Sequence, residues 1–236
     1  MNGARRVVVL LSGGYKSATL AFERRKAGDD VLLLTFDYGQ RCREAELAAA
    51  KDVAALLESD HVVVPFDLLT RIASLRTKDD RWTFLDPELE ASRVRQDVLP
   101  AFPLLAIAAV AWADSARRAS VYLGSRVGES PVNHSPLGVN LMHSIARTSL
   151  ASGVDVIAPY IQTIPGEIVE KARQVGAYPH LRVTHSCYGP RRGGCGVCEG
   201  CKWRATSFKR ATLPDPLSAD EKAVAAATEP KPAKKR

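Results

Sequence analysis

Residues 6–17 read RVVVLLSGGYKS, and the fold follows from how this stretch is read. Val7, Val8, Val9, Leu10 and Leu11 form a short apolar run rich in β-branched side chains. Its length and composition suit a strand buried on both faces. Ser12, Gly13 and Gly14 follow at once, and a helix can start near Ser17. Strand, small-residue turn and helix start together make an arrangement that grips phosphate. Glycines let the backbone approach an anion, and the free N–H groups of a helix N-terminus point at it. Lys16 is then a phosphate contact and a tentative catalytic group, or a lysine directed to solvent. Ser12 and Ser17 are phosphate contacts or helix-capping residues. An ordinary tight turn uses the same residues, so the rest of the chain decides their meaning.

Working outward, Val31–Phe36 (VLLLTF) and His61–Phe66 (HVVVPF) read as second and third buried strands. Between them, Ala18, Ala21, Phe22 and Arg25 share one face of a helix that Gly28 ends, and Glu44–Glu58 reads as a second helix. Strands alternating with helices predict a doubly wound parallel sheet. Val121–Leu123 and Val156–Ala158 supply two more strands. Phe102–Ala116, Gly138–Ser152 and Glu167–Val175 read as helices. The first is apolar enough to be core, with Trp112 as packing rather than a stacking platform.

In such sheets ligands sit beyond the carboxyl ends of the strands. That places Ser12–Ser17, Asp37–Gln40 and the Gly124–Leu137 loop on one edge. Asp37, Tyr38 and Gln40 lie near a nucleoside, or form a plain turn. Arg126 and Glu129 face the substrate space, or belong to a solvated loop. Arg76–Asp97, with Trp82 and Phe84, reads as a lid-like insertion.

The chain has 236 residues, 46% hydrophobic and 25% charged, enough for one domain with a small appendage. No apolar run is long enough to span a membrane and no secretory signal opens it, so a reducing, cytoplasmic setting is expected. Net charge is +7, of which residues 222–236 carry +4. That tail is a solvated Lys/Pro/Ala segment, or a contact for nucleic acid. Disorder is expected from residue 212. Cys187, Cys195, Cys198 and Cys201 fall within fifteen residues, separated by glycines. In a reducing setting this spacing reads as a structural zinc site, with an iron–sulfur cluster or redox thiols as alternatives. His185 is a competing ligand or a surface histidine.

Several motifs resemble a known family. Ser-Gly-Gly-x-x-Ser at Ser12–Ser17 is similar to the PP-loop of the N-type ATP pyrophosphatases. FDYGQR at Phe36–Arg41, EIV at Glu167–Val169, and SCY…CGxCxxC at Ser186–Cys201, followed by Trp203, Arg204 and Phe208, resemble 7-cyano-7-deazaguanine synthase. The resemblance runs from about Val7 to Ala211. It implies a five-stranded sheet of the HUP/PP-loop, Rossmann-like kind over residues 1–180. It further implies a zinc-binding lobe over 181–211, followed by the 212–236 tail. It also implies ATP and magnesium as cofactors if the chain is active. The implied reaction activates the carboxylate of 7-carboxy-7-deazaguanine as an adenylate, converts it to the amide with ammonia, and dehydrates that to the nitrile with a second ATP.

The chain departs from the family at the reacting edge. The family's turn reads Ser-Gly-Gly-x-Asp-Ser, and its aspartate position is Lys16 here. A lysine of the late helix is replaced by Pro165. An arginine and an asparagine become Phe102 and Pro103. The loop SRVGESPVNHSP retains Glu129 as its acid. The expectation is a nucleotide- or 7-deazaguanine-binding protein in which the standard synthase reaction is lost or altered. It would act alone, as a homodimer, or as a partner subunit of a modification system. The alternatives are an active ATP-dependent ligase for a related carboxylate, with Lys16 replacing the missing cation, and a nucleic-acid-associated module using the tail.

Overall fold

The computed structural model describes residues 3–69, 101–127, 135–149, 153–190 and 192–228. The opening run forms β1 (Arg6–Leu10), with Val7, Val8 and Val9 fully buried. The chain then turns into α1 (Tyr15–Lys26), stops where Gly28 takes φ +85°, and returns as β2 (Asp30–Asp37). α2 (Arg43–Leu57) and β3 (His61–Pro65) repeat the unit. α3 (Ala101–Ser115) then carries the chain back across the sheet to β4 (Ser120–Leu123). α4 (Pro136–Ser149), β5 (Asp155–Ile157) and α5 (Pro165–Gln174) follow.

The five strands are all parallel, in the order β3-β2-β1-β4-β5. β1 pairs β2 from Arg6↔Asp30 to Leu10↔Leu34, and pairs β4 from Val7↔Ser120 to Leu10↔Leu123. The winding reverses between β1 and β4, which opens a crevice beyond their carboxyl ends. Both faces of β1 are covered, as its unbroken apolar run requires. Val7 and Val9 pack with α1, α2 and α5, while Val8 packs with Ala106, Ala109 and Val110 of α3 and Met142 of α4.

Two expectations change. α3 is apolar on most sides, but the sheet takes only the face that carries Ala106, Ala109, Val110 and Ala113. Trp112 lies on the other side and is 37% exposed. The tail is also ordered further than its composition suggests. Residues 212–228 return to the body and end in α7 (Glu221–Thr228). Leu213 and Val224 enter the core, and the Tyr178 hydroxyl donates to the Pro214 carbonyl at 2.6 Å. Two apolar side chains and one buried ion pair, described below, hold a segment whose Pro, Ala and Lys content reads as disorder. The lid-like insertion and residues 229–236 lie outside the described residues. None of the described helices is long and apolar enough to cross a membrane.

Candidate functional site

The β1–α1 turn sits in the crevice that the sheet order creates. Gly13 has φ +76°, and a Cβ there would come within 2.6 Å of the Glu46 carbonyl, so glycine is required twice over. Gly14 differs. Its backbone is extended (φ −78°, ψ 160°), and a Cβ would meet nothing nearer than 3.5 Å. Neither serine caps α1. The Ser17 hydroxyl donates to the Gly14 carbonyl at 3.1 Å and accepts from the Ser12 N–H at 3.3 Å, while the two hydroxyls lie 3.2 Å apart. Ser17 therefore closes the turn on itself. Gly14 is the N-cap, so α1 starts without a side-chain cap.

At the end of β2, Asp37 accepts two bonds from Arg43, at 2.7 and 2.6 Å, which hold its carboxyl below the usual range. Gln40 is buried. Its amide donates to Glu46 at 3.0 Å and accepts from the Tyr38 N–H at 3.1 Å, so it shapes the turn from inside. Burial raises the pKa of Tyr38 well above the ordinary phenol and raises that of Glu46 too. The same buried pocket holds Cys42, the N-cap residue of α2, whose thiol burial also pushes up.

The loop after β4 lies directly over α1. A Cβ on Gly124 would approach the Ser17 N and Cα to 3.0 Å and the Lys16 carbonyl carbon to 3.3 Å. Two residues on, Arg126 is 9% exposed. Its guanidinium donates to the Val127 carbonyl at 2.6 Å and lies 5.3 Å over the Trp203 ring. Burial, then the charge of Arg126, lower the Lys16 amine from 10.5 to about 7. The Ser12–Ser17 turn and Arg126 are thus brought together. Glu129 lies outside the described residues.

The C-terminal lobe touches the same turn. The 3₁₀ segment Tyr178–Val183 leads to Thr184 and His185, and the His185 N–H donates to the Gly13 carbonyl at 2.8 Å. His185 is 2% exposed, not the surface residue expected, because this contact draws it under the turn. α6 (Glu199–Ala211) packs against α1 through a Tyr15–Ser207 hydroxyl bond of 2.8 Å. Arg204, 3% exposed, makes a two-point ion pair with Asp215 at 2.7 and 2.8 Å and donates to Thr184 at 2.7 Å. Composition gives no sign of this buried arginine. The spacing of Trp203, Arg204, Ser207 and Phe208 on one helical face is the signal that was available.

The four C-terminal cysteines converge. Their Sγ atoms all lie within 4.8 Å of one another, with Cys195–Cys201 at 3.9 Å and Cys187–Cys198 at 3.8 Å. Sulfurs placed about 2.3 Å from a tetrahedral zinc lie about 3.8 Å apart, so this donor set fits such an ion. Backbone N–H groups of Gly189 and Cys198 donate to the Cys187 and Cys195 sulfurs at 3.2 and 3.3 Å, as thiolates require. Gly200 lets α6 start here, since a Cβ would lie 1.9 Å from the Ser186 carbonyl oxygen.

The sheet order, the glycine turn at the switch point and the helices on both faces define an α/β protein of the PP-loop class. The fold is shared with the crystal structure of a 4-thiouridine synthetase–RNA complex with bound ATP. That match has a TM-score of 0.52 and 19% identity, over 94% of this chain and 54% of that one. Within the class, residues 6–212 match the family described as queuosine biosynthesis protein QueC, and the chain belongs to that family. Relatives named 7-cyano-7-deazaguanine synthase span nearly its whole length. The protein from Desulfatibacillum aliphaticivorans is 31% identical over 228 residues, covering 89% of this chain and 95% of the relative. Those from Methanoculleus marisnigri and Colwellia psychrerythraea (synthase 1) are 29% and 28% identical, each covering at least 90% of this chain and 98% of the relative.

Proposed function

We propose that this chain binds a purine nucleotide, with its phosphates on Ser12, Gly13, Gly14 and Ser17 and its nucleoside along the Asp37–Gln40 edge. The ATP-dependent conversion of 7-carboxy-7-deazaguanine to the nitrile, standard for its family, is lost or altered in it. One observation carries the second half: Lys16 stands in the first turn of α1 with the Arg126 charge bearing on it. A charged ammonium has no lone pair to offer magnesium, whereas a carboxylate at that place does. Pro165 supports the reading, because it opens α5 with a ring where the family carries a second cation. The four cysteines hold zinc in a closed, structural site.

The test is turnover of ATP to AMP and pyrophosphate with 7-carboxy-7-deazaguanine, ammonia and magnesium. Nucleotide binding without nitrile formation is expected. Nitrile formation at an ordinary enzymatic rate overturns the reading. A second reading, an active ligase for a related carboxylate, is favoured by Lys16 itself, which supplies a cation to the turn. AMP release with another carboxylate, and none with 7-carboxy-7-deazaguanine, selects it.

A further inference from the structure

We propose that Glu46 is a positioning residue for the nucleoside half of the site, acting through Gln40 on the Asp37–Gln40 edge. The inference rests on the nucleotide-binding reading above and names the group that sets the shape of that edge. Residues 38–42 belong to neither strand nor helix, so side chains must help to fix their path. Gln40 does this from beneath. Its Oε1 accepts from the Tyr38 N–H at 3.1 Å, and its Nε2 donates to a Glu46 carboxyl oxygen at 3.0 Å. A side-chain amide has one accepting end and one donating end. With the ends exchanged, Gln40 would set an N–H against the Tyr38 N–H and the turn would lose its bond. Glu46 offers an acceptor, so it takes the donating end and selects the orientation that closes the turn. The Phe36 carbonyl faces the same nitrogen at 3.5 Å, too long to fix the amide by itself.

α2 places Glu46 for this role. Its N–H bonds to the Cys42 carbonyl at 2.9 Å in the first turn of the helix. It stands three residues after Arg43, which holds Asp37 at the start of the same edge. α2 thus grips the edge at two points. The Arg43 pair is exposed, and such pairs contribute little. The Glu46 pair is the more covered one, with Gln40 buried and Glu46 partly so. Burial raises the Glu46 pKa, and the bonds from Gln40 and Cys42 oppose that rise. The Glu46 carbonyl is also the group that a Cβ on Gly13 would meet at 2.6 Å. One helical residue therefore packs its backbone against the glycine turn and bonds its side chain to the nucleoside edge. A change of side chain separates the two, because the backbone contact stays in place. An edge that is ordered before a ligand arrives loses less entropy when it binds.

The full chain is compared with Glu46→Leu, Glu46→Asp and Glu46→Gln by amide hydrogen exchange and by calorimetric titration. Leucine removes the acceptor, aspartate withdraws it by one methylene, and glutamine restores one. Circular dichroism confirms that each variant is folded. In Glu46→Leu and Glu46→Asp the Tyr38 N–H is expected to exchange at least about tenfold faster, while the amides of Gly13–Ser17 keep the parent's rates. Glu46→Gln keeps the parent's rates in both turns. ATP affinity falls at least about tenfold in Glu46→Leu and Glu46→Asp and is retained in Glu46→Gln. Affinity for inorganic tripolyphosphate, which carries the phosphates without a nucleoside, stays within about twofold of the parent in all three. Equal losses for ATP and tripolyphosphate, faster exchange over both turns, or a parental ATP affinity in Glu46→Leu and Glu46→Asp overturns the positioning role while the nucleotide reading stands. Failure of the parent chain to bind ATP overturns the nucleotide reading, and Tyr38 exchange still decides whether Glu46 sets the turn.

Discussion

Replacing Lys16 with methionine is expected to make the protein more stable, the reverse of most substitutions at a partly buried position. The reason lies in its proton. The amine titrates near 10.5 in an unfolded chain and at about 7 in the folded one, because burial and then Arg126 disfavour its charge. A separation of about 3.5 units, at about 1.4 kcal/mol per unit, sets an upper bound of roughly 5 kcal/mol on the cost of folding around this lysine below pH 7. Partial exposure and relaxation reduce that to about 2 kcal/mol. Methionine keeps the aliphatic stem and removes the charge. A gain of about 2 kcal/mol at pH 6 corresponds to a rise in Tm of about 4–8 °C for a chain of this size.

The pH dependence gives the sign. The folded pKa lies below the unfolded one, so between about pH 7 and 10.5 the unfolded state holds more protons. The stability of the parent protein therefore rises with pH across that window, and the advantage of Lys16→Met shrinks toward zero. Thermal and urea unfolding of both proteins at pH 6, 8 and 9.5 measures this. A variant no more stable than the parent at pH 6, or an advantage that persists undiminished at pH 9.5, refutes the reasoning.

The two glycines of the turn are expected to separate folding from binding. Gly13→Ala meets the Glu46 carbonyl in a left-handed backbone and destabilises by about 1–3 kcal/mol in urea unfolding, whereas Gly14→Ala leaves stability within about 0.5 kcal/mol. Any fall in ATP affinity for Gly14→Ala then reports how closely the ligand approaches. Removing the metal with a strong chelator is expected to release one zinc per chain, measured by atomic emission, and to expose residues 186–201 to protease. ATP affinity falls with it, because His185 ties that lobe to Gly13. Arg204→Ala leaves Asp215 half-buried without its cation and costs about 3–5 kcal/mol, read as a lower Tm and as early proteolysis near residue 215.

The centre of the sheet was legible because β1 and β2 are buried on both faces and announce themselves as apolar runs; β3, read as equally buried, lies at the sheet edge and leaves Val63 42% exposed. Val7–Leu11 and Val31–Phe36 needed no context, and Gly28 and Gly176 end α1 and α5 at positive φ, as helix-stopping glycines do. The cysteine cluster was legible for a similar local reason, since four soft ligands on glycine turns have few other uses. What escaped was long-range. Arg204 and Asp215 find each other only after α6 is packed, so a segment rich in proline and alanine looked free when it was docked. His185 looked exposed because nothing local shows that its N–H reaches back to Gly13, 172 positions earlier in the chain. Nor does any local pattern show that the Gln40 amide donates to Glu46 beneath the turn it helps to shape. The packing of Gly124 in the β4 loop against the backbone of Lys16 and Ser17 is another contact that no local pattern shows.

The most direct measurement is the mass-spectrometric yield of nitrile from 7-carboxy-7-deazaguanine, with ATP, magnesium, ammonia and the metal-loaded full chain, counted per polypeptide over time. Less than one nitrile per chain, alongside calorimetrically demonstrated ATP binding, is predicted for a scaffold whose reacting edge has exchanged an acid for Lys16. Many nitriles per chain at a steady rate contradict it.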